Sequence, residues 1–177
     1  MERQISYWQT AGFLFTAVFG TFLHFFFDLT GGSWGAALVS AVNESIWEHT
    51  KLLFYPMLLF ALGEYRCWGR ETESFWCVKL IGTLTGLLLI PVLFYTYTGA
   101  LGVRADWFNV TIFFLVAGTV YWLETKLLQR GFACSMNPRL AFGLLCLLAG
   151  VYTLFTFAPP RIPLFEAPLT GTYGFQG

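Results

Sequence analysis

Charge is what this sequence has least of. Lys, Arg, Asp and Glu make up 11% of its 177 residues, ten basic against ten acidic, where a soluble domain carries about 25%. A formal net charge of zero removes the electrostatic footing that a nucleic-acid partner needs. Histidine occurs at two positions only, and neither His-Glu-x-x-His nor a cysteine pair with ligand spacing is present. The common zinc signatures are therefore missing. No internal repeat stands out, and the length leaves no room for a soluble second domain. No small-residue cleavage site follows the first apolar run, Ala11 to Phe27, so that run is expected to stay as a span.

What the chain does have is apolar length. Hydrophobic residues make up 56% and the mean hydropathy is +0.63. A hydrocarbon core of about 30 Å takes roughly 20 apolar residues per helix. Five segments meet or approach that: Trp8 to Thr30, a second centred on Leu52 to Leu62, Cys77 to Tyr97, Trp107 to Leu128, and Leu140 to Ala158. The expected fold is all-α: one integral membrane domain over residues 1–177, a polytopic bundle of about five transmembrane helices. Residues 159–177, rich in Pro, Gly and Thr, form a tail that cannot span; it is expected to cover or anchor at the outer face, with Thr170-Gly171 as a turn.

The start of the second helix is open. Residues 34–42 are apolar but short, and serve either as a re-entrant or interfacial turn or as the first part of one long tilted helix. Ser45-x-x-Glu48 has capping-box spacing and favours a start at Asn43 or Ser45. Pro56 and Pro91 should kink their helices by freeing the carbonyls of Leu52 and Leu87.

The basic residues set an orientation. With five spans, Arg3, Arg66, Arg70, Lys79, Lys126, Arg130 and Arg139 fall on the side of the N-terminus, against Lys51, Arg104 and Arg161 on the other. The positive-inside rule then puts the N-terminus in the cytoplasm and the C-terminus outside. Cys67, Cys77 and Cys134 fall on the cytoplasmic side and Cys146 within a span, so no disulfide is expected on the oxidising side. Glu124 should pair locally with Lys126 or Arg130.

One block stands out against this background: Asn43-Glu44-Ser45-Ile46-Trp47-Glu48-His49-Thr50-Lys51. Ionisable groups in or beside a bilayer are costly and mark functional sites by default. His24 and Asp28, four apart on one helix face, reach the same outer half. His24, Asp28, Glu44, Glu48 and His49 form a pool of metal ligands; two histidines with carboxylates suit zinc with an open water position, or a non-haem metal. A metal-free alternative uses Glu48 as general base with His49 or His24 as acid, and Arg104 holding an anionic group. Tyr95, Tyr97 and Arg104 would rim the pocket and meet substrate. A purely structural cluster is the competing reading, since carboxylates in a first helical turn complement the helix dipole and Lys51 can pair with Glu44 or Glu48. Gly82-x-x-x-Gly86 lets a helix approach closely, either within the chain or in a homo-oligomer.

The motif Asn43-Glu44-Ser45-x-Trp47-Glu48-His49-x-Lys51, with Tyr95-Thr96-Tyr97-Thr98-Gly99, Pro159-Pro160-x-x-Pro163-Leu164-Phe165 and Thr170-Gly171-x-Tyr173-Gly174, resembles an uncharacterised family of small bacterial integral membrane proteins. That resemblance implies a multi-pass location in the bacterial cytoplasmic membrane and no particular activity. A more distant likeness is to intramembrane metal hydrolases such as alkaline ceramidases. The chain departs from them in having about five helices rather than seven and no paired histidines in a late helix. These readings yield three expectations: a metal-assisted or acid–base hydrolase of a lipid-like substrate, a transporter or small-molecule binding protein using the same cluster, and a structural membrane subunit.

Overall fold

The computed structural model describes residues 2–176. Its six α-helices are α1 (Glu2–Leu29), α2 (Trp34–Ala37), α3 (Ile46–Cys67), α4 (Phe75–Leu101), α5 (Asp106–Gln129) and α6 (Pro138–Phe157). No strand occurs among the described residues; a single antiparallel bridge joins Glu166 and Tyr173 in the tail. The five long helices match the five expected segments.

Four of them, α1, α4, α5 and α6, are long and apolar enough to cross a membrane. The fifth, α3, has 22 residues, roughly 33 Å of helix, but it carries Glu48, Lys51, Glu64 and Arg66. It reaches that length without matching hydropathy because its neighbours α1, α4 and α6 shield it. The outer surfaces show the complementary pattern. Val18, Leu88, Leu115 and Leu147 are exposed around the bundle, as a lipid-facing girth requires. Exposed Trp34 and Trp107 at one end and Tyr7 and Trp122 towards the other sit where aromatic belts form.

Local chemistry sets the boundaries. Ser45 is the N-cap of α3, its side chain accepting from the Glu48 amide. The capping box is modified, however. Asn43 Oδ1 takes the Ser45 amide at 2.9 Å, which leaves the Glu48 carboxylate free to reach the Val42 amide at 3.1 Å. Residues 34–42 are neither one long helix nor a span. They make the single turn of α2 and then a loop, with Trp34 stacked on Phe157 at 5.0 Å between ring centroids. Pro56 lies inside α3, and the carbonyl of Leu52 that it frees faces Gly20 of α1, where a Cβ would collide with it.

Gly82 and Gly86 face inward. Gly82 packs on Glu124, and Gly86 on Leu53 and Val120, so the small-residue stripe meets α3 and α5 of the same chain. One expectation needs correcting. Glu124 does not pair with Lys126 or Arg130 but with Lys79, at 2.6 Å, because its side chain points into the bundle where neither of those exposed residues can follow. Cys77 and Cys134 form a disulfide, with Cα atoms 6.5 Å apart, since the α5–α6 loop folds back over the first turn of α4. The disulfide lies at the end that the basic residues assign to the cytoplasm, where disulfides are rare.

Candidate functional site

At the end of the bundle formed by the C-terminal part of α1 and the start of α3, the structure sorts the polar block into two sets. Glu48 and Lys51 form the first, buried set. Their side chains meet at 2.6 Å with essentially no exposure. Lys51 Nζ also donates to the carbonyls of Ala37 at 3.1 Å and Ser40 at 3.2 Å. Glu48 accepts from Val42 N on one oxygen and from Thr156 Oγ1 at 3.3 Å on the other. The ammonium has three oxygen neighbours, and each carboxylate oxygen has at least one partner. Buried behind Lys51, Val42 and Thr156, this carboxylate is closed off from the aqueous face. Glu48 and Lys51 clamp the 37–42 loop to α3 and α6.

The loop is also tied to α1. Ser40 Oγ donates to the carbonyl of Leu23 and accepts from the amide of Phe27 at 3.0 Å, two groups that an ideal helix pairs with each other. This fixes α1 on both sides of His24. The tail closes over the loop. Gly174 offers its carbonyl to Asn43 Nδ2 at 3.1 Å, Phe175 donates its amide to Thr156 at 2.7 Å, and its ring meets Trp34 and Phe157. Gly174 has φ 61°, and a Cβ there would strike the Thr156 carbonyl and Pro159.

The second set is His24, Glu44 and His49. Each offers a ligand atom, and these atoms lie within 4.8 Å of one another. The two imidazoles are 5.3 Å apart between centroids, and His49 Nε2 is 3.3 Å from Glu44 Oε2. His49 Nδ1 is 2.8 Å from the Ser45 carbonyl. With Nδ1–H donating to that carbonyl, a protonated His49 donates Nε2–H to Glu44, and loss of that proton frees an Nε2 lone pair in the orientation by which a backbone acceptor presents an imidazole to a metal. His24 Nδ1 is buried without a hydrogen-bond partner. The Glu44 side chain is 58% exposed, which leaves the trio open to the aqueous face. Its hydrogen bond with His49 holds the Glu44 carboxyl below the usual range, against a burial effect in the opposite direction. Two nitrogens and one carboxylate oxygen, open on one side, are a fitting donor set for zinc with a fourth position for water.

The remaining candidates lie elsewhere. Asp28 is exposed and stands outside the trio, one turn beyond His24. Tyr97 is buried and donates to Asn109 Oδ1 at 2.6 Å, which ties α4 to α5. Arg104 lies over the Phe94 ring at 5.8 Å. Tyr95 lines a shallow surface groove with Leu88, Pro91 and Leu164. No hydrogen bond or ring contact joins these three to the trio among the described residues. The cavity nearest in sequence is apolar: 340 Å³ between α1 and α3, lined by Phe19, Phe22, Leu23, Phe26, Tyr55 and Leu58 among others.

A second buried polar cluster, near the opposite end, went unread in the sequence. It joins Gln9, Glu64, Lys79 and Glu124 from four helices. Gln9 precedes Gly12, Thr16 and Gly20 at helical spacing, and Gly82 follows Lys79 by three. A stripe of small and polar residues on otherwise apolar helices was its one visible signal.

The chain belongs to the DUF6512 family, a family of unknown function, whose model matches residues 1–175. No curated protein and no solved structure matches the chain.

Proposed function

We propose that the chain is a membrane-embedded metallohydrolase, with one divalent cation, zinc by its donor set, held by His24, Glu44 and His49. The observation that carries this reading is the convergence of three ligand atoms within 4.8 Å from two helices and a loop that the Glu48–Lys51 clamp fixes in place. Held by these three residues, a cation would supply a nucleophilic water for cleaving an ester. Asp28, exposed one turn beyond His24, is the residue assigned to pass the proton of that water to the leaving alcohol. The apolar groove on the same two helices supports an amphipathic substrate. Orientation follows the exposed basic residues. With buried Lys51 and Lys79 set aside, Arg3, Arg66, Arg70, Lys126, Arg130 and Arg139 face Arg104 and Arg161, which favours a cytoplasmic N-terminus and an outward site.

Element analysis of detergent-purified protein tests the reading. We expect about one zinc per chain in the wild type, lost in His24→Ala, Glu44→Ala and His49→Ala and kept in Asp28→Asn. Folded wild-type protein without metal, purified without chelator, would overturn it.

A further inference from the structure

The cluster near the N-terminal end differs from the metal site in position and chemistry. Lys79 Nζ lies 2.6 Å from Glu64 Oε2 and 2.6 Å from Glu124 Oε2, and 3.5 Å from Gln9 Oε1. Gln9 Nε2 donates to Glu64 Oε1 at 2.6 Å. The Phe75 and Tyr121 rings pack beside the ammonium at 5.4 and 5.8 Å. Glu64 and Glu124 are wholly buried and Lys79 and Gln9 nearly so.

Counting charge across this junction gives one ammonium against two carboxyls. The elements packed here add no second cation: α1 contributes neutral Gln9, α3 Glu64, α4 Lys79, and α5 Glu124 and Tyr121. The Tyr121 hydroxyl is taken up by Thr16 Oγ1 at 2.8 Å. With both carboxyls ionised, the junction would hold one uncompensated negative charge in a dry interior, which is strongly disfavoured. The hydrogen bonding shows the same shortfall. Glu124 Oε1 has no partner and lies against Gly82. Glu64 Oε2 touches Lys79 as an ion pair without an aligned hydrogen bond.

We propose that Glu64, Lys79 and Glu124 form a proton-binding site that holds one proton between two carboxyls at neutral pH. Like charges that share a cation in a confined site cannot both stay ionised, and the proton belongs to the pair and not to either residue. The site lies near the N-terminal face, since Lys79 is four residues into α4 and Glu64 three from the end of α3. Along α1, the polar groups of this cluster reach Thr16, and at Gly20 the α1 and α3 backbones approach closely, between the cluster and His24. The nearer face for proton exchange is the N-terminal one. A buried, exchangeable proton on one side of a bundle is the kind of group that proton-coupled membrane proteins use.

Infrared spectroscopy of the full chain in detergent at neutral pH, in H2O and D2O, tests the site. The wild type should show a protonated-carboxyl C=O band that shifts on deuteration. Glu64→Gln and Glu124→Gln should each remove it, because the remaining carboxylate then balances Lys79 one to one. Lys79→Met should increase it about twofold, since both carboxyls then take a proton. The wild-type spectrum decides the matter even where a variant fails to fold. Absence of the band in the wild type would overturn the proposal, as would a band that survives both glutamine substitutions. A band that appears only when sodium is withheld would give the site to a metal cation instead. None of these outcomes depends on zinc at His24, Glu44 and His49.

Discussion

Lys51 and Lys79 are both buried lysines within three residues of a small or polar neighbour on an inner helix face, yet they meet opposite charge balances. Lys51 faces one carboxylate and two backbone carbonyls, and both oxygens of Glu48 have partners. Lys79 faces two carboxylates, and one oxygen of Glu124 is left over. A balanced pair needs no further charge and serves as architecture. An unbalanced one is complete only with a further positive charge. The sequence pattern alone, lysine with nearby glutamate, would favour the first as the functional site; geometry reverses that order.

The largest effect should come from breaking the balanced pair. Lys51→Met leaves Glu48 buried and uncompensated and should cost about 3–5 kcal/mol, measured by unfolding in detergent. The double variant with Glu48→Gln should recover most of it. Disturbing the packing around the unbalanced cluster comes next. Gly82→Ala pushes a methyl into Glu124 and should cost about 1–3 kcal/mol, with Gly63→Ala, which meets nothing within 4 Å, as its neutral companion. The smallest effect sharpens the contrast most. Glu124→Gln leaves a one-to-one pair and should change stability by no more than about 1 kcal/mol, whereas Glu48→Gln should cost several times that. Equal losses from the two glutamines would erase the distinction between the clusters. Finally, thiol labelling from either side of sealed vesicles, with and without reductant, locates the Cys77–Cys134 disulfide. Protection on the cytoplasmic side that only reductant removes would reconcile the disulfide with the charge-based orientation; labelling from the outer side would reverse that orientation.

The helices were legible because lipid imposes a length and an apolar composition that a single sequence displays directly. The Ser45 cap was legible because capping is local. His24, Glu44 and His49 were within reach as residue types, but their selection from a pool of five was not. Glu48 looked as good a ligand as Glu44 until Val42, Thr156 and Lys51 were seen to occupy its oxygens. Thr156 lies 108 residues away. Gln9 and Glu124 meet Glu64 and Lys79 across separations of 45 to 70 residues, and pairing over such distances leaves no period or spacing to read. Tyr97 shows the reverse case: its place beside a helix end suggests a rim, while its hydroxyl donates to Asn109.

The placement of the buried charges also bears on how the chain is made. Synthesis delivers α3, with Glu48, Lys51 and Glu64, ahead of the groups that complete them: Lys79 on α4, Glu124 on α5 and Thr156 on α6. Gln9 and the backbone groups of Ala37, Ser40 and Val42 have already emerged. A lone α3 in hydrocarbon would carry Glu48, Lys51, Glu64 and Arg66 with one internal pairing, so it cannot settle in lipid by itself. It must wait at the insertion site, or beside α1, until the later helices arrive. The segment at the centre of the finished bundle is thus the last to become independent of the machinery that inserts it.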